Sequence, residues 1–379
     1  MEKRSQMKIV FAIDSFKGSL GSMEAGRAAA EGAQRAIPGV ECAVRPLADG
    51  GEGTVEALVA GMGGELRRVE VSGPLGAPAT ATYGIAGTTA VMEMAQASGI
   101  TLVPAEKRNP LLASTYGVGE MIADAISRGC RRFVVGIGGS ATNDGGAGML
   151  QALGFRLLDA SGAELPRGGA ALAKLAKIER GPETEKLAGC EFRIACDVSN
   201  PLCGPKGASA VFGPQKGATP AMVEELDSAL ARFAEVSCGD ADFPGSGAAG
   251  GLGFAFRTFL GAELKSGVDI VLEETGLEGF VKDADVVVTG EGRLDSQTAM
   301  GKAPYGVARL AKKHGAKVVA FAGCVTPDAV KLNECGIDAF FPILREITTL
   351  ERALEKEYAA ANLAATAEQA FRCFLLGAH

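Results

Sequence analysis

MKIVFAIDSFKGSL, residues 7–20, is the stretch whose reading decides the fold. Residues 8–13 (KIVFAI) form a short β-branched, apolar run, and Asp14 follows at once. That run predicts a strand. Next comes SMEAGRAAAEGAQRA (22–36), with Ala at helical spacing, Ser22 as its N-cap and Pro38-Gly39 at its end. A second strand over 41–47 and a short helix over 53–62 continue the alternation, which points to a parallel sheet covered by helices.

Two strands do not make a stable sheet, and the C-terminal part repeats the pattern. It predicts strand 284–289 (ADVVVT), helix 301–314, strand 317–322 (KVVAFA), helix 327–335, strand 338–342 and a long helix near 349–374. The two ends together supply five strands, enough for a flavodoxin-like, three-layer α/β domain. The expected organisation is therefore discontinuous: residues 1–68 and 283–379 form the flavodoxin-like domain, and 69–282 form an inserted α/β domain with a mixed sheet. Within the insert, 69–93 alternates with turn signals between (VEVSG, TATYGI, TTAVMEM). Helix 116–128, strand 132–137, strand 192–196, helix 219–235 and a Gly-rich stretch at 245–253 follow.

Composition narrows the function. The chain has 379 residues, a formal net charge of -7, nine cysteines and only two histidines, His314 and His379. The acidic balance speaks against a nucleic-acid binder. So small a histidine supply argues against His-ligated metal centres and Ser/His/Asp machinery. The cysteines are scattered without a C-x-x-C and read as reduced, buried thiols of a cytoplasmic protein. The opening run meets Asp14 too soon for a signal peptide, and no apolar stretch approaches a membrane span. Glycine is the outlier at 53 residues, about twice the usual share of roughly 7%.

In open α/β sheets, ligands bind outside the carboxyl ends of the strands. Asp14 follows the first strand, Asp49 (PLADGGEGT) the second, GIGGSATNDGGAGM the strand 132–137, Asp197 (CDVSNPLCGPKGA) the strand 192–196, and GEGRLD the strand 284–289. Five ends rich in acids or glycines predict one shared site. Gly138-Gly139-Ser140 precedes a helical GAGMLQALG, an arrangement that aims backbone N–H groups at an anion. A second loop, Gly204–Gly217, mixes Gly with Lys206 and Lys216; it reads equally well as a phosphate clamp or a solvated loop. G-x-x-x-x-G-K-[ST] is absent, and the G-x-G-x-x-G match at Gly245, Gly247 and Gly250 follows no strand. Acids, glycine turns and scarce histidine suit phosphoryl transfer, which needs positioning, Mg²⁺, cations and an Asp to take a hydroxyl proton. Lys17 and Arg293 are the cations in the rich loops.

DSFKGSL (14–20), PLADGGEGT (46–54), GIGGSATNDGGAGMLQALG (136–154), CDVSNPLCGPKGA (196–208), VFGPQKG (211–217), TGEGRLDSQT (289–298) and GKAPYGVA (301–308) resemble, in order and over almost the whole chain, the bacterial type-1 glycerate kinase family. The resemblance implies ATP-dependent phosphorylation of D-glycerate to 2-phosphoglycerate with Mg²⁺, in the cleft between two α/β domains. It also implies a place in the cytoplasmic breakdown of glyoxylate, glucarate and galactarate. Alternatives left open are a kinase making 3-phosphoglycerate or acting on another small hydroxy acid, and a non-catalytic nucleotide sensor. The expected partners are D-glycerate and ATP, with neither nucleic acid nor membrane, and with a homodimer as an open alternative.

Under this reading Asp197 is the first choice of general base, with Asp14 and Asp49 as rivals and Lys17 as a catalytic cation. Gly138, Gly139, Ser140, Asn143 and Lys216 are the candidates for ATP. Arg293, Glu291 and Asp49 are those for glycerate. Asp49 and Asp295 are those for the metal.

Overall fold

The computed structural model describes residues 6–51 and 53–376; Glu52 and His379, which figure in the sequence reading, lie outside them. Its strands, in chain order, are β1 Lys8–Ile13, β2 Glu41–Pro46, β3 Glu65–Ser72, β4 Pro78–Ala86, β5 Thr89–Glu93, β6 Arg132–Gly136, β7 Phe155–Leu158, β8 Lys177–Arg180, β9 Glu191–Ala195, β10 Glu263–Lys265, β11 Val286–Leu294, β12 Lys317–Val325 and β13 Ala339–Pro342. The chain divides into two compact units. One comprises Met1–Asp49, Glu56–Met62 and Val268–His379; the other comprises Gly50–Val55 and Gly63–Gly267.

In the first unit a five-stranded sheet runs β13-β12-β11-β1-β2 with every pairing parallel. Counting only this unit's strands in chain order, the arrangement is 2-1-3-4-5, the flavodoxin-like order. All six residues of β1 are buried, as expected where helices cover both faces of a parallel sheet. One covering layer pairs helix Ser22–Ala36 with helix Lys356–Leu376. The approach is close: a Cβ on Gly32 would lie 2.1 Å from the Ala364 carbonyl oxygen. Small residues on both helices allow it, and Phe11 meets Phe371 edge-on beneath, with ring centroids 6.5 Å apart.

The second unit holds a six-stranded mixed sheet, β10-β9-β6-β5-β4-β3. β3, β4 and β5 form an antiparallel meander, while β5, β6, β9 and β10 are mutually parallel neighbours. Phe133 and Phe192 stack across β6 and β9, with centroids 4.7 Å apart. The antiparallel pair β7–β8 forms a small separate sheet.

Several elements depart from expectation, each for a local reason. Ser22 is not the N-cap; that position is Gly21, whose N–H donates to Glu24 Oε2 at 2.8 Å. The strand expected at 284–289 continues to Leu294, because Arg293 and Leu294 pair with Cys324 and Val325 of an equally long β12. Residues 327–335 wind only as a 3-10 turn, Pro327–Asn333. The long C-terminal helix is broken at Glu355 (ψ 127°) into Leu350–Leu354 and Lys356–Leu376. The glycine stretch at 245–253 leads into an unforeseen helix, Ala248–Leu260, whose start passes through three residues with positive φ, Ala249, Gly250 and Gly251. The nine cysteines are free, but only Cys130 is fully buried, and Cys238, Cys324 and Cys373 are exposed. No described helix is long and apolar enough to cross a membrane.

Candidate active site

The carboxyl ends of β1 and β11 frame the first cluster. β2 and β12 lie on opposite sides of this adjacent pair, so the gap between β1 and β11 is the topological switch point, where open α/β sheets bind ligands. Asp14 N donates to the Gly290 carbonyl at 2.8 Å, extending the β1–β11 ladder by one bond. The ends of β1 and β2 are tied by the buried Ser22 hydroxyl. It donates to the Ile13 carbonyl at 2.6 Å and accepts from Leu47 N at 2.8 Å. One residue after Ile13 the chain carries Asp14, and two residues after Leu47 it carries Asp49.

Asp14 is buried, and its carboxyl is pushed up to about 7, first by burial and then by the charge of Asp49; Glu291 adds to the rise, while a bond from Ser15 N and the Lys17 charge oppose it. Glu291 is also raised, chiefly by burial. It accepts from Thr298 Oγ1 at 2.6 Å and faces Lys302 Nζ at 3.7 Å. Neither Thr298 nor Lys302 was singled out by sequence reasoning, although both sit in motifs quoted there. Lys17 is exposed on the turn that Gly18 (φ +78°) makes after β1. Arg293 is exposed as well, and its Nε lies 3.4 Å from Asp295 Oδ2. Asp295 also accepts from Gln297 N at 2.9 Å. The first unit thus gathers Asp14, Asp49 and Glu291 with Lys17 near them, and sets the Arg293–Asp295 pair at the far end of β11.

The second unit presents another polar edge at the carboxyl ends of β5, β6 and β9. Gly50 and Gly51 lie against it. A Cβ on Gly136 would stand 2.7 Å from the Gly50 carbonyl oxygen, and one on Gly50 (φ +91°) would stand 2.7 Å from Gly267 Cα. Backbone packed this tightly leaves room only for glycine, which accounts for Gly50 in PLADGGEGT. A cavity of about 290 Å³ opens here, lined among others by Gly50, Glu93, Gln96, Thr101, Gly138 and Gly139. Glu93 is buried at the end of β5 and accepts from Val55 N at 3.3 Å. Sequence reasoning missed it, because a single acid closing an alternating strand carries no distinguishing mark.

Gly138 and Gly139 (φ +73°) line the cavity, and the Gly139 carbonyl accepts from Ile100 N at 2.8 Å. Ser140 is buried and pairs with Gly99 as an isolated bridge. Asn143 is fully buried, with Nδ2 donating to Ser209 Oγ at 2.9 Å. Lys216 is not in a solvated loop: it is 1% exposed, its Nζ donates to the Thr142 carbonyl at 2.7 Å, and burial lowers its ammonium to about 7. Asp197 follows the buried strand β9 but is itself exposed, and its Oδ1 accepts from Gly267 N at 3.1 Å. Asp144, absent from the expected set, is buried and accepts four bonds, from Thr115 N, Thr115 Oγ1, Gly146 N and Gly148 N, at 2.8–3.2 Å.

A family model described as the glycerate kinase family matches residues 9–375. The chain is 49% identical to a glycerate kinase of Bacillus subtilis (strain 168), over 98% of this chain and all of that one. It is likewise 49% identical to a glycerate 2-kinase of Escherichia coli (strain K12), over 95% and 98% of the two chains. A crystal structure from Salmonella typhimurium LT2, provisionally named glycerate kinase 2, superposes with a TM-score of 0.90 at 47% identity, covering 98% of this chain and 99% of that one.

Proposed function

The chain belongs to the glycerate kinase family, and from that premise we propose that it transfers a phosphoryl group from ATP to D-glycerate and releases 2-phosphoglycerate. The observation that carries the chemistry is Asp14, buried at the switch point with its carboxyl held at about 7. Phosphoryl transfer asks the protein mainly to position its reactants, balance charge and accept one hydroxyl proton. A base poised near the working pH does the last of these best. Asp14 therefore takes the proton of the attacking hydroxyl, in preference to the solvent-exposed Asp197. Lys17 and Arg293 offset the carboxylate of glycerate and the charge of the moving phosphoryl group. Glu291, held by Thr298 and Lys302, orients the substrate's hydroxyls.

In the second unit the Gly138–Ser140 turn offers bare backbone amides to the ATP phosphates. Asn143 and Lys216, both buried, support that turn from within the protein.

Among the described residues no group of three or more acids, cysteines or histidines is arranged to hold a metal ion alone. Mg²⁺ does not need one, since it binds through one or two carboxylates plus phosphate oxygens and water. The half-buried Asp49, close to Asp14 at the end of β2, fits that demand. Asp295 lies beside Arg293 and accepts from Gln297 N. When bound there, Mg²⁺ supplies positive charge to the phosphate oxygens. The reading places the reaction in the cytoplasm, in keeping with nine free thiols.

The relative named as a glycerate 2-kinase favours attack through O2. ADP release measured with and without D-glycerate, followed by phosphorus NMR of the product, tests the whole reading. Glycerate-dependent ADP with a 2-phosphoglycerate resonance is expected. ADP release that ignores glycerate, preference for tartronate, or a 3-phosphoglycerate product would overturn it.

A further inference from the structure

The loop that follows the glycine turn is held from two sides by features with no evident task of their own. On one side stands Lys216. It ends a 3-10 turn, Pro214–Lys216, closed by Gly217 (φ +92°), where a Cβ would lie 2.7 Å from the Arg108 carbonyl oxygen. That backbone lock delivers the side chain into the interior, where the ammonium reaches the Thr142 carbonyl at 2.7 Å. On the other side lies the left-handed run Ala249–Gly251. Gly145 N donates to the Gly250 carbonyl at 2.9 Å, and a Cβ on Gly250 would stand 2.0 Å from the Thr142 carbonyl oxygen. Ala249 adopts φ +53°, a conformation costly for a residue with a side chain. Beneath both, Asp144 gathers the amides of Thr115, Gly146 and Gly148.

A buried lysine and a strained alanine both cost stability, and both bear on the same few peptide units. We infer that Lys216 is a positioning residue: its ammonium, fixed on the Thr142 carbonyl, sets the Gly138–Ser140 turn for ATP without touching the nucleotide. The inference rests on the proposed role of that turn. The otherwise unexplained G-x-G-x-x-G match finds its place here: its last glycine, Gly250, is required by close packing against Thr142, not by a dinucleotide.

Steady-state kinetics of Lys216→Met, Lys216→Arg and Gly139→Ala, with ATP and D-glycerate varied separately, test this. Lys216→Met is expected to raise the KM for ATP at least tenfold and leave that for glycerate within about twofold, with a smaller rise in Lys216→Arg. If Gly139→Ala raises the KM for ATP and Lys216→Met does not, the inference fails while the turn's role stands. If neither raises it, the role of the turn itself fails. Both KM values rising together in the Lys216 variants would also overturn the inference. Amine acetylation of the wild-type enzyme with peptide mass mapping gives an answer even where a variant does not fold. Lys216 is expected to stay unmodified with and without ATP; modification that ATP prevents would show direct contact and overturn the inference.

Discussion

Asp49 stands near enough to Asp14 for its charge to reinforce burial in opposing ionisation of the Asp14 carboxyl. The two acids close successive parallel strands, and the hydroxyl of Ser22 fixes the ends of those strands relative to one another. Repulsion between the two carboxylates is therefore built into the sheet rather than left to side-chain freedom.

One consequence concerns stability. The folded Asp14 carboxyl titrates at about 7 rather than 3.8, so between those values the native state binds more protons than the unfolded chain. Stability then falls as pH rises through that window, and above it ionised Asp14 costs up to about 4 kcal/mol. Asp14→Asn removes this cost. In metal-free buffer the variant should resist urea better than wild type at pH 8, and the difference should vanish below about pH 4. Equal stabilities at pH 8 would show that the folded Asp14 carboxyl is not raised.

Turnover separates the candidate bases. General-base catalysis contributes about 10²–10⁴-fold, so Asp14→Asn should lower kcat by that order with the fold retained. Asp197→Ala loses a carboxylate that is exposed and accepts from Gly267 N, and it should keep at least roughly a tenth of kcat on the same scale. The reverse ranking, read from initial rates of ADP release, would assign the proton to Asp197.

Metal dependence should run through Asp49. Chelation with EDTA is expected to abolish activity, and added Mg²⁺ to restore it. Asp49→Asn should raise the Mg²⁺ concentration for half-maximal rate by about tenfold or more, the usual scale for loss of one coordinating group or its support. An unchanged Mg²⁺ titration would place the ion elsewhere.

The helix pair of the first unit gives a test away from the chemistry. Gly32→Ala drives a methyl toward the Ala364 carbonyl oxygen and the Ala367 side chain. Overpacking of this kind costs about 1–3 kcal/mol. Thermal unfolding should register it as a lower Tm, while the KM values for ATP and glycerate stay at wild-type levels.

Much of the fold was legible because it rests on local signals. Residues 8–13 and 22–36 form the strand and helix their apolar spacing predicts. The signal failed where neighbours decide. Gly290–Leu294 looks like a loop, but a backbone ladder does not need apolar side chains, and β12 extends alongside it. The start of helix Ala248–Leu260 is disguised by glycines that serve close packing against Thr142 and Gly145. Of the site, the acids at strand ends could be found by position. Glu93, which closes β5 from within the strand, and Asp144 could not, because the groups that bond them, Val55 N and Thr115, are distant in sequence. Thr298 and Lys302 could not, because only the folded turn after β11 brings them to Glu291.

By itself the amino-acid sequence determined the α/β alternation, the acids and glycines at the strand ends and the likeness to a kinase family, since each is a property of short contiguous segments. Only the tertiary structure decided that Asp14 is buried against other acids, that Asp197 faces solvent and that Lys216 lies inside the protein. Burial and charge proximity depend on which distant segments fill the space around a group, and no local pattern encodes that.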